Sequence, residues 1–314
     1  MSTPSPSPSP AALRPLTHVQ PFAIPQRASE RIMLLRTFAE TGERNLVLGS
    51  SIMRGMTHSP ASIRQWREDM AAAGLRFVDA HAPFGVFEDL NCADPSLRPF
   101  LMDYLRLCLS IVADFGVTCI TIHTGNPHVP GITVGQHHEN MLRSLDALLP
   151  TAERLGVTIC IENIWYPTNT APMLLDAIGK FPTPALGICY DAGHANLTSG
   201  ARRVPENACH KAFSDCGMEP VWNDHLLEDL LPHVVTCHLH DNDGLRDHHR
   251  CPGDGTVPWA HIMPLLKRAP RLQCYQNESG PSENPARSLS ETAAVFRHLL
   301  EHDVPPAAEP RHQP

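Results

Sequence analysis

FGVTCITIH (115–123) and LGVTICIEN (155–163) follow one pattern: a helix-compatible stretch stops at a glycine, and an unbroken apolar, β-branched run begins at once. Glycine tolerates the left-handed conformation that ends a helix. A strand apolar on both faces suits a parallel sheet covered by helices. The recurrence one unit apart is an internal repeat of the βα kind.

Working outward, similar runs occur at HVQPFAI (18–24), NLVLGS (45–50), RFVDAHAPF (76–84), ALGICYDAGH (185–194), VVTCHLHD (234–241) and RLQCYQNES (271–279). With CITIHTG (119–125) and TICIENIW (158–165) they make eight strand candidates. Helical stretches such as SIRQWREDMAAAG, RPFLMDYLRLCLSIVADFG, HENMLRSLDALLPTAERLG and SLSETAAVFRHLLE lie between them, with apolar residues three and four apart. Eight βα units predict an α/β fold, a single (β/α)8 TIM barrel. An open doubly wound sheet fits less well, because no Gly-rich phosphate loop follows the first strand. The barrel is expected over 17–303. The Ser/Pro-rich stretch 1–16 and the tail 304–314 are expected to be disordered, since their prolines cannot donate backbone hydrogen bonds. The stretch from Ala195 to Asn223 is the longest without a clear pattern and reads as a candidate lid.

Composition narrows the function. Lys and Arg number 25 against 33 Asp and Glu, a net charge of −8, and only three residues are lysine: Lys180, Lys211 and Lys267. Nucleic acid is therefore not the expected partner, because a protein that neutralises several phosphates needs basic residues along its groove. The ten cysteines form no CxxC pair, and Cys119, Cys160, Cys189 and Cys237 sit inside apolar runs. They read as small buried residues in a reducing compartment. No apolar run spans a membrane and no signal-peptide pattern opens the chain, so a cytoplasmic protein is expected.

Chemistry concentrates at strand ends: His81, His123, Glu162, Asp191 and His194, His238 and His240, and Glu278 close six consecutive candidate strands. In a barrel this places them on the carboxyl-terminal rim, where active sites are built. A strand-end carboxylate also suits a helix cap; the recurrence on strand after strand is what argues for one shared site. Oxygen and imidazole donors favour Mn²⁺, Mg²⁺, Co²⁺ or Zn²⁺. The segment HLHDNDGLRDHH (238–249) adds Asp247 and His249 to the candidates. His238 and His240 are two apart and face the same side of a strand, so spacing does not say which binds metal.

The motifs HAPF (81–84), IHTG (122–125), IEN (161–163), YDAGH (190–194), HLHD (238–241), PGDG (252–255) and NES (277–279), in this order, resemble the xylose isomerase-like TIM barrel superfamily. That superfamily includes sugar phosphate isomerases and epimerases and the endonuclease IV type of AP endonuclease. The resemblance implies metal ligands Glu162, Asp191, His238 and Glu278, choosing His238 over His240. It implies a small-molecule carbohydrate substrate and proton transfer by Glu162 and Glu278 through a metal-stabilised enediolate. His194, His81, Arg246 and His249 are the expected substrate contacts. Ketose epimerases of the family usually carry Arg where this chain has His249. The alternative it implies is an endonuclease IV-like phosphodiester hydrolase acting on abasic DNA, with Zn²⁺ and added ligands His81, His123, His194, Asp247 and His249. Family barrels often associate, which makes a homo-oligomer an expectation of the resemblance alone.

Overall fold

A computed structural model describes residues 14–20, 27–126, 129, 131–280 and 284–307. Eight parallel strands close into one barrel in sequence order: β1 Leu16–His18, β2 Asn45–Leu48, β3 Arg76–His81, β4 Cys119–Ile122, β5 Thr158–Glu162, β6 Leu186–Asp191, β7 Val234–Leu239 and β8 Cys274–Asn277. Among the described residues no helix is long and apolar enough to cross a membrane.

The two decisive stretches fold as their glycines require. The helices Arg98–Asp114 and Val134–Leu155 each give way to a glycine at positive φ, Gly116 at +73° and Gly156 at +67°, where a Cβ would strain the backbone. β4 and β5 then run side by side with Thr121 opposite Cys160. Their isoleucines, Ile120, Ile122, Ile159 and Ile161, join the main core between barrel and helices. The alternate residues point inward, and Cys119, Cys160, Cys189 and Cys274 pack with Val235 in a separate apolar cluster. The thiols act as the small apolar fillers their sequence context suggests.

The first strand differs from expectation. It occupies Leu16–His18, so His18 ends the strand instead of starting it, and 21–24 lie outside the described residues. Apolar count favours the later stretch, but a three-residue strand is too short to carry a pattern. Its position is set by pairing: Leu16, Thr17 and His18 lie opposite Tyr275, Gln276 and Asn277 and close the barrel. Arg14 reinforces the closure by donating to the carbonyls of Lys267 and Ala269. Residues 14–16 of the expected N-terminal disordered stretch are thus part of the barrel's closing edge, while 1–13 and 308–314 lie outside the described residues.

The stretch after β6 is not patternless. It holds the helices Ala192–Leu197 and Ala208–Asp215 and a 3₁₀ turn at Gly200–Arg202. Asn207 caps the second helix with its side-chain oxygen, and its Nδ2 donates to the carbonyls of Leu197 (3.0 Å) and Gly244 (2.8 Å). Cys209 and Phe213 are buried beneath it. In place of a free lid, this is a packed insert that braces the loop following β7.

Candidate metal centre

Because side chains alternate along a strand, every second residue of β5, β6, β7 and β8 faces the barrel interior. Glu162 and Asp191 end their strands, His238 lies one residue inside the end of β7, and Glu278 follows β8 directly. His238 is the point of convergence. Its Nδ1 lies 3.1 Å from Glu162 Oε1, 3.1 Å from Glu278 Oε2 and 3.6 Å from Asp191 Oδ2. Three carboxylates and one imidazole meet there, the four residues that the resemblance implies.

Two further groups share this floor. His123 Nε2 and His81 Nε2 lie 3.2 and 3.9 Å from Glu162 Oε2. On the other flank, His194 Nε2 and His249 Nε2 lie 3.4 and 3.0 Å from Asp247 Oδ2, and His240 Nε2 lies 3.7 Å from Asp247 Oδ1. The donor atoms of His194, His240, Asp247 and His249 all fall within 4.8 Å of one another, as do those of His81, His123 and Glu162.

The ring orientations suit metal binding. A carbonyl only accepts, so Nδ1–H donates to Ala82 O from His81 (2.8 Å), to Asn163 O from His194 (3.1 Å) and to Glu278 O from His249 (2.9 Å). Each imidazole therefore turns Nε2 toward the carboxylates, the arrangement that fixes the tautomer of metal-binding histidines. Glu162 Oε2 and Asp247 Oδ1 are buried without a well-formed hydrogen bond. Buried acceptors left open in this way, among mixed oxygen and imidazole donors, fit divalent cations.

The carboxylates at the centre are held ionised. Burial pushes the Glu162 carboxyl up, but His238 and the close imidazoles of His123 and His194 outweigh it and hold it well below the usual carboxylate range. Burial likewise opposes ionisation of Glu278, and His238 again lowers it. His249 would be pushed down by burial, yet its bond to Asp247 and the charge of Glu278 raise it to about 9. His81 is pushed down to about 4 by burial and by neighbouring His123.

Entry to the site is set by exposure. The side chains of Glu162, Asp191, His238 and His240 are at most 1 % exposed and form the floor, whereas Glu278, His123, Asp247 and His249 are 15, 17, 19 and 31 % exposed at the mouth. Phe84 stacks on His123 at 4.4 Å, and Trp165 meets His194 edge-on at 4.8 Å. Arg246, an expected substrate contact, is exposed on the same loop. Its backbone N–H donates to Asp243 Oδ1 (3.1 Å), and nothing described joins its guanidinium to the cluster.

Two residues of the motifs do work that spacing alone did not reveal. Asn163 of IEN joins β5 to β6: its Nδ2 donates to the Asp191 carbonyl and its Oδ1 accepts the Asp191 N–H, both at 2.9 Å. Asp241 of HLHD is fully buried and holds the loop that carries Asp247 and His249. Its Oδ1 accepts from the backbone N–H groups of Asn242 (2.9 Å) and Val257 (3.0 Å), and its Oδ2 from Gly253 N–H (2.8 Å) and Trp259 Nε1–H (3.0 Å).

The sequence over residues 45–297 matches the family model described as xylose isomerase-like TIM barrel. The chain belongs to this family. Curated relatives are distant: the uncharacterized protein MJ1311 of Methanocaldococcus jannaschii is 24 % identical over 243 residues, 74 % of this chain and 75 % of that one. Among solved structures, an L-ribulose 3-epimerase superposes with a TM-score of 0.67 at 15 % identity, covering 96 % of this chain and 99 % of the other. A D-tagatose 3-epimerase-like protein gives 0.67 at 16 %, covering 91 % and 97 %. The TTHB071 protein of Thermus thermophilus, soaked with ZnCl₂, gives 0.55 at 20 %, covering 89 % and 97 %. At these identities the likeness establishes the family barrel as the fold.

Proposed function

We propose that this xylose isomerase-like barrel is a divalent-metal-dependent isomerase or epimerase of a sugar, sugar phosphate or sugar derivative. The observation that carries this reading is that Glu162 and Glu278, from β5 and the end of β8, both lie 3.1 Å from the same nitrogen of His238. Two carboxylates facing one point suit the removal of a proton from one side of a carbon and its return from another. Similarity to solved sugar epimerases supports the same reaction class.

Glu162, Asp191, His238 and Glu278 would hold the ion, with Mn²⁺, Mg²⁺ or Co²⁺ matching the oxygen-rich set. When bound, it supplies Lewis-acid stabilisation of negative charge on substrate oxygen. Glu162 and Glu278, both held ionised by His238, exchange the proton at the carbon beside the carbonyl. His194 and His249 present N–H groups or lone pairs to substrate oxygens at the mouth. Phe84 and Trp165 exclude water from its sides.

A second reading has its own observation. The added groups around His81 and His123 and around Asp247 offer places for more than one ion, which suits a phosphodiester hydrolase. The acidic net charge opposes DNA as its substrate. The experiment is deuterium wash-in from heavy water across ketoses, aldoses, inososes and their phosphates, with Glu278→Gln as control and metal counted by elemental analysis. Exchange lost in Glu278→Gln supports the isomerase. Exchange that survives the substitution removes Glu278 from the mechanism. No exchange together with about three Zn²⁺ per chain supports the hydrolase.

A further inference from the structure

His240 has no part in the ligand set of the resemblance, yet it is among the most tightly held side chains of the site. It is completely buried, and its Nε2 lies 3.1 Å from both oxygens of Asp191. Its ring lies parallel to that of His249, 4.0 Å away with 6° between the planes. On one side it is walled by Gly193, where a Cβ would come within 2.0 Å of His240 Cε1. Glycine at 193, in YDAGH, therefore leaves the slot that the HLHD histidine fills.

Two roles fit a histidine at this place: ligand or support. The rings of His81, His194 and His249 each anchor Nδ1–H on a backbone carbonyl and so free Nε2 for a metal. His240 differs, because its buried Nδ1 has no hydrogen-bond partner. If Nε2 bound a metal, the proton would sit on Nδ1 and become a buried donor without an acceptor, which is less favourable than leaving that nitrogen as an open acceptor. With the proton on Nε2, it is shared between the two Asp191 oxygens. Asp191 Oδ1 also accepts the backbone N–H of His194 at 2.6 Å, which leaves Oδ2 facing His238.

We propose that His240 is a positioning residue: its Nε2–H holds the plane of the Asp191 carboxylate so that Oδ2 faces the metal, and Gly193 makes room for it. The inference rests on the reading of Glu162, Asp191, His238 and Glu278 as the metal centre, and it does not depend on which substrate is turned over. Through the stack on His249, His240 also joins the wall of the barrel to the loop that carries Asp247.

The test measures metal binding instead of turnover. Mn²⁺ and Zn²⁺ titrations by calorimetry and metal content by elemental analysis are compared for wild type, His240→Leu, His240→Gln, Gly193→Ala and Glu278→Gln. Thermal melts of the metal-free proteins verify folding. The expected result is an unchanged number of ions, with affinity at the inner site weakened ~10–100-fold in His240→Leu and Gly193→Ala, the scale for supports of metal ligands. His240→Gln, whose amide N–H can still donate to Asp191, recovers most of the loss. Loss of one whole equivalent in His240→Leu, with the remaining ions bound at wild-type affinity, would make His240 a ligand and overturn the proposal. Unchanged affinity in both His240→Leu and Gly193→Ala overturns it as well. If Glu278→Gln alone leaves binding intact, the metal-centre reading fails separately.

Discussion

Replacing Asp241 with Asn tests whether one buried carboxylate holds the loop that follows β7. The substitution is nearly isosteric, but it changes what the two terminal atoms can accept. Four N–H donors converge on Asp241, two at each oxygen, from Asn242, Val257, Gly253 and Trp259. In either orientation, the Asn amide puts an NH₂ group against two of them. The cheaper orientation faces Gly253, which is exposed and can turn its N–H to water, and Trp259, whose buried N–H is orphaned at a cost of about 1–3 kcal/mol. That is a measurable part of a typical domain stability of about 5–15 kcal/mol. Urea unfolding of the metal-free protein should show the midpoint falling at an unchanged m-value. Because the loop from Asn242 to Val257 carries Asp247 and His249, metal titration should also show weakened binding at the flank those residues form. A loss below about 1 kcal/mol, with metal binding intact, would refute the assignment of Asp241 as the anchor.

Other outcomes follow from the same structure. Burial pushes the Glu43 carboxyl up, but His18, 3.4 Å away, and Arg297 outweigh it and lower its pKa from 4.5. A depressed carboxylate stabilises above its unfolded pKa and loses that contribution as pH falls through the folded one. Wild type should therefore exceed Glu43→Gln by about 1 kcal/mol at about pH 6, and chemical denaturation should show the two converging below pH 4.5. Chelation should lower the melting temperature, since it leaves Glu162, Asp191 and Glu278 facing one another; Mn²⁺ at about 100 times its Kd should restore about 2.7 kcal/mol, and Glu162→Gln should abolish that response in thermal melts. Nine cysteines are buried and Cys216 is half-buried, and burial pushes Cys189 up to about 12. A thiol reagent at about pH 8 should thus titrate at most one group in the native protein and ten after unfolding; several fast native thiols would contradict the packing.

Much of the site was legible because a barrel turns sequence order into spatial order. Glu162, Asp191, His238 and Glu278 close or follow consecutive strands, so knowing that the strands are parallel and closed is enough to place the four on one rim. His81 and His123 follow by the same rule, whereas His194 lies in the short helix Ala192–Leu197 after β6, its backbone N–H held by Asp191. Asp247 and His249 were accessible through their density in HLHDNDGLRDHH, although no period locates a loop residue. Arg246 shares that loop; its side chain is exposed, and its backbone N–H is held by Asp243.

The sequence by itself determined the repeat, the strand interiors and the ring of donors, because hydrophobic periodicity and glycine stops act locally along the chain. Only the tertiary structure decided the rest. The first strand at Leu16–His18 exists through its pairing with β8, and the insert after β6 is ordered by Asn207 reaching across to Gly244. The separate surroundings of His238 and His240, on the same face of one strand, lie in what each ring nitrogen meets: three carboxylates around one, and Asp191 with an unpartnered Nδ1 around the other. Hydrogen-bond partners come from strands and loops far apart in the chain, and a pattern read along one strand carries no record of them.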